Sequence, residues 1–179
     1  VDFLTVMVLS VILVVAATLL MWLWSIFNSF VTFRNEAFAR FSQIRAIQEK
    51  KLNLIEQLLG DVKGHTVSDK DILNQITGLR KIVAMGGPSE IEAADKESTT
   101  LAGQLFSIAG SDTALRSSSM VSDIERALKD LDTGITGQIS AYNDMARQFN
   151  GLLDTSPAGI IGELSGMHKL GLILREEAS

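Results

Sequence analysis

A chain of 179 residues has room for one modest domain and one further segment. It carries a net charge of −5, no cysteine and only two prolines; this excludes disulfides and thiolate metal sites and argues against nucleic acid as the main partner. Apolar residues reach 46% although aromatics are only 6%, and mean hydropathy is positive, so one strongly apolar segment must weight the mean.

That segment comes first. No residue from Phe3 to Phe33 is charged, and "FLTVMVLSVILVVAATLLMWLWSIF" runs from Phe3 to Phe27. A membrane-spanning helix needs about 20 apolar residues at 1.5 Å each. Trp22 and Trp24 stand at the C-terminal end, where indoles favour the headgroup layer. A cleaved signal peptide is the competing reading. Its apolar core is about 7–15 residues after a basic stretch, whereas this run is longer and follows Val1 and Asp2. The expectation is therefore an anchor over residues 1–30. Arg34, Arg40, Arg45, Lys50 and Lys51 follow the run and no basic residue precedes it, which places the remainder in the cytoplasm by the positive-inside rule. The basic cluster also suits anionic headgroups; a solvated helix face is the alternative for Lys50 and Lys51. The chain beyond Lys51 is net acidic.

After the anchor, helical spacing dominates and no alternating strand pattern appears. Phe38, Phe41, Ile44, Ile47, Leu52, Ile55, Leu58, Leu59 and Val62 form one stripe. Neither proline nor glycine occurs from Phe3 to Leu59, so the anchor should continue unbroken into the first body helix and stop near Gly60 and Gly64. Ser68 reads as an N-cap for a second helix over about Asp69–Met85. Gly86 and Gly87 end it. Ser89 with Glu92 reads as a capping box for a third helix, reinforced by Glu90. "AGSDTALRSSS" reads as a loop or a weak helical turn. A last long helix is expected over about Ser119–Leu153, with Val121, Ile124, Leu128, Leu131, Ile135, Ile139, Tyr142, Met145, Phe149 and Leu152 as its stripe.

Helices with one apolar stripe each bury those stripes together. The expected fold is all-α: an N-terminal transmembrane helix continuous with a long antiparallel four-helix bundle over residues 31–156, then an apolar glycine-containing tail over 157–179. On the last helix the pairs Tyr142–Asn143 and Phe149–Asn150 stand seven residues apart. The rings fall on the stripe and the amides on its flank. Those amides suit hydrogen bonds to a neighbouring helix that fix register, or plain solvation. The tail, "PAGIIGELSGMHKLGLIL", is apolar but too short and glycine-rich to span a membrane. Folding back on the bundle, packing on a neighbouring protomer and lying on the bilayer remain open for it.

Three blocks, "FNSFVTFRNEAFARFSQI" (Phe27–Ile44), "EKKLNLIEQLLGDVKGH" (Glu49–His65) and "YNDMARQFNGLLDTSPAGIIGELSGM" (Tyr142–Met167), occur in an order and at separations that resemble the LemA family. Phe27 stands where that family usually has tyrosine, and the middle, Ile82–Met120, matches weakly. The resemblance extends to divergent branches such as LemA-like proteins of magnetosome membranes. It implies a bacterial inner-membrane protein with one N-terminal anchor and an all-helical cytoplasmic bundle. It supplies no catalytic residue.

No enzymatic set appears independently. His65 and His168 are far apart with no helical ligand pair. Asp69–Asp71 and Asp130 with Asp132 lack the remainder of a calcium loop and read as capping and surface groups. No phosphate loop or nucleophile elbow occurs. Gly162-x-x-x-Gly166 matches a close-packing pattern. No catalytic residue, metal ligand or cofactor is expected. Trp22, Trp24, Arg34 and Arg40 are the expected membrane-interface residues. Phe27, Asn28, Arg34, Asn35, Tyr142, Asn143, Phe149 and Asn150 are expected to set helix packing and register. Pro157, Ile160, Ile161, Leu164, Met167 and Leu170 are expected to make the tail's contacts. The functional expectation is a non-enzymatic, self-associating scaffold touching bilayer lipid, serving membrane organisation or stress response. The alternative is a sensor or adaptor for another inner-membrane protein such as a membrane protease.

Overall fold

A computed structural model describes residues 2–62 and 69–174. The readings placed on Gly64, His65 and Ser68, and the part of the expected tail beyond Leu174, lie outside the described residues. Within them all regular structure is helical: α1 (Phe3–Asp61), α2 (Asp69–Met85), α3 (Pro88–Ser111), the single turn α4 (Thr113–Arg116), α5 (Ser119–Leu153) and α6 (Ala158–Leu164).

Helix α1 runs 59 residues because nothing in it removes a backbone donor or loosens the chain before Gly60. The turn after α2 needs glycine. Gly86 N–H donates to the Ile82 carbonyl at 2.6 Å, and a Cβ on Gly86 would collide with that carbonyl and with the Glu90 Cβ. The start of α3 corrects the expected cap. Gly87 is the N-cap, Pro88 follows at the first helical position, and Glu90 reaches back to accept from Gly87 N–H at 3.0 Å. Ser89 and Glu92 therefore do not form the box: Ser89 hydroxyl donates to Glu90 instead, at 3.1 Å. Hydrogen bonds from its own backbone N–H, then from the Ser89 hydroxyl and Gly87 N–H, hold the Glu90 carboxyl below its ordinary pKa.

The chain forms two compact units. One takes the N-terminal segment through Glu36 together with Met145–Leu170. Its core is Phe30, Phe149, Ala158 and Met167, flanked by Ile26, Phe33, Leu152, Leu153 and Leu170. The Phe30 and Phe149 rings meet edge to face at 5.6 Å. Gly162 lies close against Leu153 and Phe30, and a Cβ on Gly159 would strike the Leu153 carbonyl; both glycines let α6 sit flat on this cluster.

The other unit takes Ala37–Asp144 and the chain from Gly171. Its core draws Phe41, Ile44, Leu52, Ile55, Leu58 and Leu59 from α1, with Ile76, Leu79 and Val83 from α2. Ile91, Leu101 and Leu105 of α3 and Val121, Ile124, Leu128, Ile135 and Ile139 of α5 complete it. Phe38 departs from the expected stripe and is 48% exposed. The buried line runs through Phe41, Ile44, Gln48, Lys51, Ile55 and Leu58, a three-four alternation that leaves Phe38 off its axis.

Candidate functional site

Two polar arrangements in the all-helical body hold elements together that are distant in sequence. The first is built on Lys51, which was expected at a membrane surface or in solvent and instead lies 2% exposed. It replaces an apolar residue on the α1 stripe. Its ammonium has three protons, and three acceptors face it: Asp95 Oδ1 at 2.9 Å, Thr99 Oγ1 at 2.7 Å and Asp132 Oδ1 at 2.9 Å. Gln48, also buried, donates to Asp95 at 2.7 Å. Asp132, expected as a surface or capping group, thus joins α5 to α1, and Asp95 joins α3 to the same point. A buried lysine is tolerable only when paired and fully hydrogen-bonded. The three elements must therefore arrive in one register for the cluster to close. Arg45 and Arg80 add ties. Arg45 lies over the Phe41 ring, 4.7 Å from its centre, and donates to the Gly86 carbonyl at 2.5 Å. Arg80 donates to Glu49, to Asn53 at 2.7 Å and to Glu56 at 2.7 Å.

The second arrangement corrects the reading of the asparagines. Both amides bind the C-terminal tail. In the unit that holds Met145–Leu170, Asn150 donates to the Leu170 carbonyl at 2.9 Å and accepts from Leu170 N–H at 2.8 Å. In the other unit, buried Asn143 donates to the Ile173 carbonyl at 2.8 Å and accepts from Ile173 N–H at 3.0 Å. A side-chain amide thus imitates a peptide group and satisfies both backbone valences of one tail residue, as a pairing strand would. The spacing explains the repeat. Seven helical residues rise about 10.5 Å, and three stretched residues cover about 10 Å, so Asn143 and Asn150 match Ile173 and Leu170. Tyr142 hydroxyl donates to the Gly171 carbonyl at 2.6 Å, and its ring lies 5.5 Å from Phe41. Burial pushes the Tyr142 pKa up and keeps the hydroxyl protonated as a donor. Leu174 N–H reaches Glu92 on α3 at 3.0 Å, and Gly171 packs on Pro88. Leu170, Gly171, Ile173 and Leu174 thus hydrogen-bond to α3 and α5 of their own chain.

The remaining expected residues divide. Phe149 is buried, whereas Phe27, Asn28, Arg34 and Asn35 are exposed. Phe27–Asn28 repeats the aromatic-Asn pairing but is exposed, and Phe30 takes the buried place expected of Phe27. Trp22 and Trp24 are exposed, as is Arg40, which donates to Gln138 at 3.4 Å. In the tail, Met167 is buried, Ile161 and Leu170 are half-buried, and Pro157, Ile160 and Leu164 are exposed.

Among the described residues no group of His, Asp and Glu is placed to hold a metal ion. An open groove of about 450 Å³, lined by Lys50, Asn53, Leu54 and Gln57 of α1 and Ala127, Asp130 and Leu131 of α5, has an apolar floor. It contains no paired nucleophile and base. Sequence reasoning missed Gln48, Lys51, Asp95 and Asp132. A signal was present: positions 48 and 51 complete the three-four spacing of the α1 stripe, so polar residues there had to be buried.

α1 is long and apolar enough to cross a membrane, and none of its most apolar stretch, of mean hydropathy 2.8, is covered by protein. That separates it from a core helix. No curated protein matches the chain. A family model for the LemA family matches residues 40–178 and so takes in the body helices and the strap that Asn143 and Asn150 hold. The chain belongs to the LemA family.

Proposed function

We propose that this is a single-pass protein of the bacterial inner membrane, with α1 as anchor and the helical body in the cytoplasm, acting as a self-associating scaffold without catalytic activity. The observation that carries the reading is the uncovered apolar stretch of α1 joined without interruption to an all-helical body. Lipid is the solvent that such a surface requires. Arg34 and Arg40 directly after the stretch support the cytoplasmic side.

We further read the body as an antiparallel four-helix bundle. Phe41–Tyr142 and Lys51–Asp132 pair a rising α1 number with a falling α5 number. Arg45–Gly86, in the turn before α3, and Lys51–Asp95 and Lys51–Thr99 run in the same sense along α1 and the chain through α3, as alternate helices of an up-down bundle do.

Self-association follows from confinement. Anchors that share a membrane raise the effective concentration of identical bodies, and Ile82 and Met85 on α2 remain exposed for contact. Membrane organisation or stress response is the role such a scaffold serves. Crosslinking in native membranes tests this: crosslinks mainly between identical chains are expected. One dominant foreign partner with no self-crosslinks would replace the scaffold with an adaptor for another membrane protein.

A further inference from the structure

We infer that α6 is a second membrane contact, a short foot whose Ile160 and Leu164 enter the headgroup layer of the bilayer that α1 crosses. The inference rests on α1 being the anchor. Ile160 and Leu164 are one helical turn apart on one face and are 58% and 85% exposed. The opposite face, Ala158 and Gly162, is buried. What it is buried against sets the location. The tip of the Phe30 ring lies 3.4 Å from where a Cβ on Gly162 would stand. Ile26, one turn nearer the apolar stretch, packs on the same cluster.

The part of α1 in this cluster runs from Ile26 to Phe30, two to six residues beyond Trp24, about 3–9 Å along the helix. The headgroup layer extends about 5–8 Å beyond the hydrocarbon on each side. α6 is therefore fixed at the depth where the α1 surface passes from lipid to water, in one compact unit with the N-terminal half of α1. Two large apolar side chains held there face an amphipathic layer, not bulk water. Glu163 lies at the edge of the same face and is exposed. Its carboxylate limits insertion to headgroup depth. The apolar tail thus divides its labour: α6 meets lipid, while Leu170–Leu174 straps the body.

The chain has no native cysteine, so single spin labels are easily placed. Full-length Leu13→Cys, Ile160→Cys, Leu164→Cys and Glu125→Cys are labelled and reconstituted in phosphatidylcholine–phosphatidylglycerol vesicles. Relaxation by oxygen, which enters lipid, is compared with relaxation by a water-soluble nickel chelate. The expected result is a strong oxygen preference at 13, an oxygen-to-nickel ratio about threefold above that of 125 at positions 160 and 164, and no preference at 125. Ratios at 160 and 164 equal to that at 125, with 13 still lipid-like, overturn the foot and leave the anchor standing. Dipolar broadening at 164 between copies without oxygen preference also overturns it, giving the face to a second chain. A water-like label at 13 removes the anchor and the inference together.

Discussion

The two halves of α1 have the same backbone geometry and opposite surfaces. From Phe3 to Trp24 every side chain is exposed and nearly all are apolar. From Ala37 to Leu59 one stripe is buried while charged residues cover the other faces. Helix propensity does not distinguish them, because both lack glycine and proline up to Gly60. The pattern around the helix does: an all-round apolar surface needs lipid or a protein core, and a single stripe needs partner helices. The second half then gives up apolar burial at Gln48 and Lys51 in exchange for a register fixed against α3 and α5.

The sharpest way to break the body half is Lys51→Ala. Asp95, with a side chain only 10% exposed, loses its cation. The full chain in mild detergent should lose about 3–5 kcal/mol in urea unfolding. A loss well below 1 kcal/mol would mean that the cluster sets nothing. Asn143→Ala comes next. It strips both backbone valences of Ile173 at a buried site and should cost about 1–3 kcal/mol, with faster proteolysis of the tail as a second readout. A tail equally resistant in the variant would contradict the clamp.

Glu90→Gln should have a smaller, pH-dependent effect. The folded carboxyl titrates below its unfolded value, so its stabilisation is complete above the unfolded pKa and is lost as pH falls through the folded pKa. The melting difference between parent and variant should shrink on acidification. A difference that grows on acidification has the wrong sign. At the other extreme stands Leu13→Ala in the first half. Leu13 is 70% exposed within the protein, so body unfolding should shift by no more than about 0.5 kcal/mol. A core-sized loss would show that protein, not lipid, covers that stretch.

Much of this was legible from spacing. The unbroken α1, the bounds of α2 and α5 and the α5 stripe all follow from 3.6-residue periodicity and from where glycine and proline fall. The Gly87–Glu90 cap was misplaced because Ser89 offers an equally good local pattern; proline at the first helical position decides for Gly87. The Lys51 cluster was hidden for a different reason. Its members lie 44 and 81 residues apart, and a lysine next to other basic residues looks solvated until the partners on other helices are known. The asparagine clamps were half visible. Their seven-residue repeat suited hydrogen bonds to a neighbouring helix or plain solvation, but an amide pairs with extended backbone as readily as with a helix, and only tertiary structure names the tail.

The most direct test uses the two native tryptophans, Trp22 and Trp24, the whole of the chain's tryptophan content. The full chain is reconstituted in vesicles whose acyl chains carry bromine at graded depths, and tryptophan emission is read. Strong quenching, greatest for bromines nearest the headgroups, is predicted, with blue-shifted emission. Emission at the aqueous wavelength, unquenched at every bromine depth, would contradict an α1 that passes from lipid into the body as one helix.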